Sequence, residues 1–200
     1  DLPYQLESMW EGSPGPNDVW LIDLLSGIPQ KIKENYKARI RSSPAGKFLY
    51  WYHSSDSSWY TYDITAGQEY RLTTPETLPC HDELNDVPDV ASSYPPAGWL
   101  KDDKAFLISD RYDLWSLDPK AEKPVINITM NGRKTATTYS LIDFDTENDY
   151  IDPTVIQYLN AFNEKTKGSR VNPFSLQRSS PRCLLISASM PPYLESSGFP

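Results

Sequence analysis

The 200-residue chain has a formal net charge of −8 and a sequence pI near 4.8, so it repels the phosphate backbone of nucleic acids, and no basic patch offsets that repulsion. Hydrophobic residues make up 38% of the chain and aromatic residues 12%, which excludes a disordered protein and predicts a globular one. No uninterrupted apolar run approaches the length of a membrane-spanning helix, and we predict no membrane span. The length suits one domain or a segment of a larger one.

The chain begins at Asp1, with neither a methionine nor an apolar signal segment. This beginning indicates either a mature secreted product or an excised piece of a longer protein. Cys80 and Cys183 are far apart in sequence, and two cysteines do not decide the redox compartment. We expect two separate buried or half-buried thiols rather than a disulfide, and the pairing stays open.

The first strands belong to an internal repeat. Residues 19–32, VWLIDLLSGIPQKI, align without a gap with residues 59–72, WYTYDITAGQEYRL. The alignment matches an aspartate and a glycine in each copy, Asp23 with Asp63 and Gly27 with Gly67. An aspartate side chain accepts backbone N–H bonds within a turn, and glycine takes the left-handed conformation that closes a bulged hairpin. We therefore predict that both aspartates cap turns, in preference to acting as acids or metal ligands.

A third copy begins in residues 104–119, KAFLISDRYDLWSLDP, where two apolar runs flank a polar centre. Residues 115–118 align with residues 60–63, so Asp118 takes the turn-capping position, although the turn after it is longer and lacks the glycine. Downstream, residues 128–129 correspond to residues 72–73. This copy predicts a β-hairpin like the second one.

Both faces of that hairpin are apolar. In its first strand Phe106 and Ile108 fall on one face and Leu107 on the other, so each face needs something packed over it. Short antiparallel hairpins that are covered on both sides indicate stacked sheets rather than one layer with a wet face. Four-stranded antiparallel sheets that recur every 40 to 60 residues or so are typical of a β-propeller.

The predicted fold is thus all-β: a β-propeller segment of about three to four four-stranded antiparallel blades, part of a larger ring. A closed four-blade ring is the alternative, if residues after Ile186 supply a missing strand. The most divergent unit is the fourth, with predicted strands at residues 139–144, 155–162, 174–177 and 183–186. The predicted divisions are a partial blade at residues 1–34, a blade at 35–74, an acidic connector at 75–96, a blade at 97–130, the divergent blade at 131–187, and a tail or the start of another blade at 188–200.

The connector at residues 75–96 is long and acidic, and it contains Glu83. Connectors of this length are usually functional or mobile. It is either a solvated loop or a flap at the propeller rim that touches a neighbouring domain or a cationic substrate. Glu83 is for this reason a weak candidate for substrate binding.

The sequence contains few residues or motifs that could act in catalysis. The chain contains no G-x-S-x-G segment, and neither His53 nor His81 has a nucleophile or an orienting acid placed by sequence. The run Cys80-His81-Asp82-Glu83 contains residue types that commonly bind metals. Adjacent side chains do not normally converge on one ion, however, and the sequence has no second ligand pair. We predict no catalytic residue, no metal and no cofactor in this chain, which we expect to be inactive alone.

Two further candidates lie at the tip of the third hairpin. Asp110 and Arg111 could face a ligand, or they could form a local ion pair within the turn with Asp113. The aromatic side chains of the second hairpin likewise allow two readings, a sugar-stacking platform or packing within and between blades, and we favour packing. These side chains are Tyr50, Trp51, Tyr52, Trp59, Tyr60 and Tyr62.

Two strings resemble a known family. Residues 95–119 read PPAGWLKDDKAFLISDRYDLWSLDP, and residues 159–168 read LNAFNEKTKG. They resemble the β-propeller of bacterial serine peptidases of the prolyl oligopeptidase family, dipeptidyl peptidase-like enzymes that include large secreted Bacteroidetes-type members. The similarity extends from about residue 3 to residue 168, and the residues after Gly168 depart from the family pattern.

The resemblance implies a two-part enzyme, in which a propeller screens peptide substrates by size and a C-terminal α/β-hydrolase domain contains Ser, Asp and His. No catalytic position of the family falls on this chain. The paired glutamates that dipeptidyl peptidases use to hold a substrate amino terminus have no match either, because Glu83 lacks an adjacent glutamate. The implied location is periplasmic or secreted.

The expected partners are the hydrolase domain of the full-length protein and peptide substrates, and open blade edges would also favour self-association. One rival hypothesis is a WD-like propeller scaffold for protein–protein interaction. Another is a glycan-binding propeller, whose glycan binding would be lost on Trp59→Ala.

Overall fold

The computed structural model describes residues 15–144 and 147–176. Strands make up 42% of the structure and helices 6%, so the protein is all-β, as predicted. The strands form four consecutive antiparallel sheets, the arrangement of propeller blades, and within the described ranges they do not close into a ring. No helix among these residues is both long enough and apolar enough to cross a membrane.

The sheets follow one another along the chain. The first is a hairpin of β1 (Asn17–Ile22) and β2 (Pro29–Tyr36). The second is a meander of β3 (Arg41–Ser42), β4 (Phe48–His53), β5 (Ser58–Asp63) and β6 (Gln68–Arg71). The third contains β7 (Gly98–Leu100), β8 (Phe106–Ser109), β9 (Leu114–Leu117) and β10 (Ile126–Asn127) in that order. The fourth contains β11 (Thr137–Ile142), β13 (Gln157–Asn163) and β14 (Ser169–Phe174).

The described residues also contain three short helical turns and one extra strand. The helical turns are two 3-10 segments, Ser54–Asp56 and Lys101–Asp103, and the helix α1 (Gly132–Thr135) between the third and fourth sheets. The extra strand, β12 (Tyr150–Ile151), pairs in parallel with β7 and makes the third sheet five-stranded. The sequence did not predict β12, because a two-residue strand has no periodicity to detect.

The third hairpin is buried on both faces, which confirms the prediction made from its apolar runs. Phe106, Leu107 and Ile108 are fully buried. Phe106 and Ile108 belong to the core between the second and third sheets, whereas Leu114 packs with Leu159 in the core between the third and fourth. Neighbouring sheets therefore supply the cover that each face needs.

The sequence repeat is also a structural repeat. In the second sheet, the amide of Trp59 donates to the hydroxyl of Thr73 at 2.9 Å. In the third, the amide of Leu114 donates to the hydroxyl of Thr129 at 3.0 Å. The alignment places these residues in equivalent positions. A threonine hydroxyl therefore accepts the amide at the equivalent point of the strand in both sheets.

The aromatic side chains of the second hairpin pack between sheets, as favoured above. The Tyr50 ring lies 5.0 Å from the Phe106 ring and 5.4 Å from the Trp99 ring. Trp59 meets Phe106 edge-on at 5.2 Å. On the opposite face, Trp51 stacks on Tyr60 at 5.8 Å. Aromatic pairs of this kind add roughly 0.5–1.5 kcal/mol each beyond the burial of apolar area.

The turn-capping roles of the repeated aspartates are confirmed. Asp23 Oδ1 accepts the amides of two residues in its turn, and Asp63 Oδ1 and Asp118 Oδ2 do the same in theirs. Gly27 and Gly67 both have left-handed φ angles, +70° and +65°. The third turn has no glycine, and Ala121 takes a φ of +53° instead.

Stability is expected to depend on pH through Asp63. Hydrogen bonds from the amides of Ala66 and Thr65, together with the ammonium of Lys120 at 2.9 Å, hold the pKa of the Asp63 carboxyl below its usual value. A depressed pKa stabilises the folded state above the unfolded pKa, and that contribution is lost as the pH falls through the folded pKa. Asp63→Asn should therefore lower the urea midpoint at pH 6, and the difference from the unmodified chain should shrink towards pH 3.

The matched control for that experiment is Asp86→Asn, which removes one negative charge from the exposed connector. Its urea midpoint should follow that of the unmodified chain at both pH values. An Asp63→Asn difference that is the same at pH 6 and pH 3 would contradict this assignment.

The fourth sheet differs from its predicted strands. Its third strand is β14 at Ser169–Phe174 rather than residues 174–177, and β13 begins at Gln157 rather than at residue 155. The cause is a short turn, in which Asn163 Oδ1 accepts the amides of Lys165 and Thr166 and so brings the chain back at once. The sequence of β14 gave no clear strand signal, because Pro173 interrupts it and its apolar residues do not alternate with polar ones. The predicted strands at residues 6–10 and 183–186 lie outside the described residues, and so does Cys183.

Candidate functional site

Charged side chains from four parts of the chain meet beside the tip of the third hairpin. The connector supplies Glu83, the hairpin turn supplies Asp110 and Arg111, and the two segments around the fourth sheet supply Arg133 and Glu164. We call this group, together with Tyr112, the rim cluster. All three residues predicted as weak candidates, Glu83, Asp110 and Arg111, therefore lie in one cluster.

The hairpin turn is built around Asp110. Its Oδ1 accepts the amides of Tyr112 at 2.7 Å and of Asp113 at 2.6 Å, while its own amide donates to the carbonyl of Asp113. Aspartate favours such turns because its side chain satisfies the amides two and three residues ahead. The expected ion pair within the turn is wrong: the Asp110 carboxylate faces Arg133, and Arg111 pairs with Glu164.

Arg133 joins the connector to the hairpin. Its Nη1 donates to Glu83 Oε2 at 3.2 Å, and its Nη2 contacts Glu83 Oε1 and Asp110 Oδ2, the latter at 3.3 Å. These bonds lower the pKa of the Glu83 carboxyl, and the same bonds raise the pKa of the Arg133 guanidinium. Glu83 is therefore an anion held in place rather than a free acid in a mobile flap.

Arg111 joins the hairpin to the fourth sheet. Its Nη2 lies 3.2 Å from each oxygen of Glu164, and the Tyr112 hydroxyl donates to Glu164 Oε2 at 3.1 Å. Two guanidinium groups lie over the Tyr112 ring, that of Arg111 at 5.0 Å and that of Arg133 at 5.1 Å from its centre. Burial and the bond to Glu164 raise the pKa of the Tyr112 phenol, which keeps it a proton donor.

A buried carboxylate supports the cluster from below. Asp113 is 3% exposed, and its Oδ1 accepts the Thr129 hydroxyl at 2.6 Å and the Gly132 amide at 2.9 Å. Its Oδ2 accepts the Arg133 amide at 3.3 Å. Asp113 thereby fixes α1 and the backbone from which Arg133 extends. The sequence did not predict this role, because an acidic residue in a hairpin turn is usually expected to be exposed to solvent.

The rim cluster is an arrangement of paired charges. Both guanidinium groups are neutralised by carboxylates, and Arg111 Nε is buried without a hydrogen-bond partner in the described chain. Among the described residues no group of three or more His, Cys, Asp or Glu side chains is arranged to hold a metal ion.

The remaining sequence candidates are structural. His53 stacks on Tyr36 at 5.2 Å and bonds through Nδ1 to Asp56 at 3.1 Å. The Cys80 thiol is buried 3.5 Å from the Thr73 hydroxyl, and burial raises its pKa. Trp59 is only 4% exposed, so its ring cannot serve as a sugar-stacking platform.

The connector should loosen when Arg133 is replaced. Arg133→Gln removes a partly exposed ion pair worth about 0.5–1 kcal/mol, so the Glu83 amide, which donates to the Tyr94 hydroxyl, should exchange its hydrogen about two to five times faster. Lys134→Gln removes the same charge from the neighbouring exposed position and is the matched control. Equal exchange rates in the two variants would show that the ion pair does not hold the connector.

Comparisons with known proteins give only distant likenesses, all of them among solved structures. No family model matches the sequence, and no curated protein matches it. Among solved structures, the crystal structure of TolB from Acinetobacter baumannii is similar, with a TM-score of 0.36 and 9% sequence identity. The match covers 90% of this chain and 52% of the TolB chain, so this chain spans about half the length of that protein.

Proposed function

We propose that this chain is the non-catalytic β-propeller portion of a serine peptidase of the prolyl oligopeptidase family. One observation supports this most: the two strings that resemble the family meet in space. Arg111 and Tyr112, from residues 95–119, both bond to Glu164, from residues 159–168, across 53 and 52 positions of sequence. A contact between the two most family-like segments is expected if both are parts of one inherited assembly.

In this proposal the propeller gates or positions peptide substrates for an α/β-hydrolase domain outside this chain. The rim cluster suits such a role, since it fixes the connector by charge and offers hydrogen-bonding groups without a nucleophile. The full-length protein would act in the periplasm or outside the cell, where peptide substrates are available.

Exposed apolar side chains point to the partners of this portion. Trp20 and Ile22 on β1 are 49% and 55% exposed, and Leu25 in the following turn is fully exposed. Patches of this kind are usually covered by another part of the protein or by a partner. We assign that cover to the rest of the full-length protein, and we expect the isolated chain to self-associate through the same open edge.

The test is to compare this chain with the product of the complete open reading frame. Incubation with a fluorophosphonate probe should label a serine in the longer protein and none in this chain, and only the longer protein should hydrolyse chromogenic peptides. Labelling or turnover by this chain would overturn the non-catalytic assignment. A reading frame without a G-x-S-x-G segment would overturn the peptidase assignment.

A protein–protein scaffold is the second candidate, because the exposed side chains of the first hairpin favour a protein partner. The scaffold hypothesis would be supported if the complete reading frame encoded no hydrolase segment and its product formed a stable complex with another protein. The glycan-binding hypothesis has no such support, since Trp59 lies in the core.

A further inference from the structure

A groove opens between the second sheet and the chain segment that enters the third. Its volume is about 390 Å³, within the range of small-ligand sites. Arg39 and Arg41, just before and at the start of β3, line one side of the groove, and the aromatic residues that we call its floor are Tyr50, Tyr52 and Trp59. The remaining lining residues are Ser92, Ser93, Pro95 and Pro96. The rim cluster and its proposed function do not involve these residues.

Strand pairing fixes the floor of the groove. Arg41 lies directly opposite Tyr50 in the β3–β4 ladder, so the two side chains project from the same face of the sheet. Tyr52 follows two positions along β4 and shares that face. The Tyr50 ring is wedged against Phe106 and Trp99 of the third sheet, which keeps the floor rigid.

The groove is unusual in its charge. In a chain of net charge −8, no aspartate or glutamate lines it. Arg39 and Arg41 are exposed, and neither forms an ion pair within the described ranges, whereas Arg111 and Arg133 are both neutralised by glutamates. The Trp59 indole N–H is buried and has no hydrogen-bond partner among the described residues. The groove thus offers the positive charge and the guanidinium donors of Arg39 and Arg41, and no carboxylate lines it.

We infer that this groove binds a carboxylate group of a peptide. Guanidinium groups bind carboxylates in a bidentate fashion and more strongly than neutral donors do. The aromatic floor accepts the apolar atoms next to the carboxylate, and the volume admits a side chain with its neighbouring backbone. The choice of a peptide as the carrier rests on the proposed function, whereas the recognition of a carboxylate rests on the groove alone.

The test uses this chain and three short peptides: acetyl-Ala-Glu-Ala-amide, its Gln counterpart, and acetyl-Ala-Ala-Ala with a free C-terminal carboxylate. Binding is followed by calorimetry and by the NMR signal of the Trp59 indole N–H, assigned with Trp59→Phe. The Glu peptide or the free-acid peptide should bind and shift that signal, and the tighter of the two identifies the source of the carboxylate. The Gln peptide should bind at least about tenfold more weakly than the tighter of the two carboxylate peptides, a difference in binding free energy of about 1.4 kcal/mol or more.

Variants show whether the arginines are responsible. Arg39→Gln combined with Arg41→Gln should weaken carboxylate binding at least about tenfold. Lys165→Gln combined with Arg170→Gln lowers the net charge equally at exposed positions outside the groove and should leave binding unchanged. Circular dichroism and the urea midpoint confirm that both variants fold.

The inference would be overturned if neither carboxylate peptide bound more tightly than the Gln peptide, or if both double variants weakened binding equally. Its failure is distinguishable from failure of the proposed function, because a reading frame without a hydrolase segment would leave the peptide affinities of this chain unchanged.

Discussion

Replacing Asp103 with alanine is expected to lower the free energy of unfolding by about 3 kcal/mol. Asp103 is 3% exposed and belongs to the turn that leads into the third hairpin. Its Oδ2 accepts the Ser43 hydroxyl at 2.5 Å and the Lys47 amide at 3.1 Å, and its Oδ1 accepts the Ala45 amide at 3.0 Å. Alanine leaves these donors of the second sheet without an acceptor where water has little access.

Urea denaturation measures the effect, with two companion variants. Asp103 has a left-handed φ of +55°, which asparagine tolerates better than alanine, so Asp103→Asn keeps the backbone geometry while it replaces one of the two accepting oxygens with an NH2 donor. Asp118→Ala removes two comparable bonds from an exposed turn and should cost about 1 kcal/mol or less. If Asp103→Ala unfolded at the same urea concentration as Asp118→Ala, the buried tie between the second and third sheets would not contribute as described.

Replacing Gly132 with alanine is expected to have a comparable effect, about 3 kcal/mol, for a steric reason. A Cβ atom at this position would lie 2.7 Å from the Thr137 carbonyl oxygen, 2.8 Å from the Tyr112 carbonyl oxygen and 2.8 Å from Asp113 Oδ1. Two of these atoms are backbone, so α1 or the hairpin tip must move. The movement would separate Asp113 from the Gly132 amide and displace Arg133 from the rim cluster.

The control is Gly168→Ala, whose added Cβ would meet its nearest neighbour, the Thr166 hydroxyl, at 3.5 Å. We expect the free energy of unfolding of that variant to lie within about 0.5 kcal/mol of that of the unmodified chain. In Gly132→Ala, hydrogen exchange should also accelerate at the Arg133 and Tyr139 amides, which bond to Asp113 and Tyr112. Equal stability and equal exchange in the two variants would contradict the close packing around Gly132.

The sequence alone determined the local features of the fold. Repeated aspartates predicted capped turns because the carboxylate of a residue that opens a turn reaches the amides two to five residues ahead, as those of Asp63 and Asp118 do. The two-faced apolar pattern of the third hairpin predicted cover on both sides, since every residue of a strand faces one side or the other. The match between residues 59–72 and the third hairpin predicted a hairpin like the second one, and the structure adds that Thr73 and Thr129 accept equivalent hydrogen bonds in the two sheets.

Only the tertiary structure decided which distant groups meet. Arg111 pairs with Glu164 across 53 positions, and Asp103 serves a turn 56 to 60 positions earlier. In sequence both acids resemble solvated residues of turns, because residue type reveals the capacity for a bond but not the partner. The arginines of the groove, Arg39 and Arg41, are distinctive for the same reason: only the structure shows that they form no ion pair within the described residues. Partner choice depends on how one sheet is stacked and rotated on the next, and no short window of sequence records that relation.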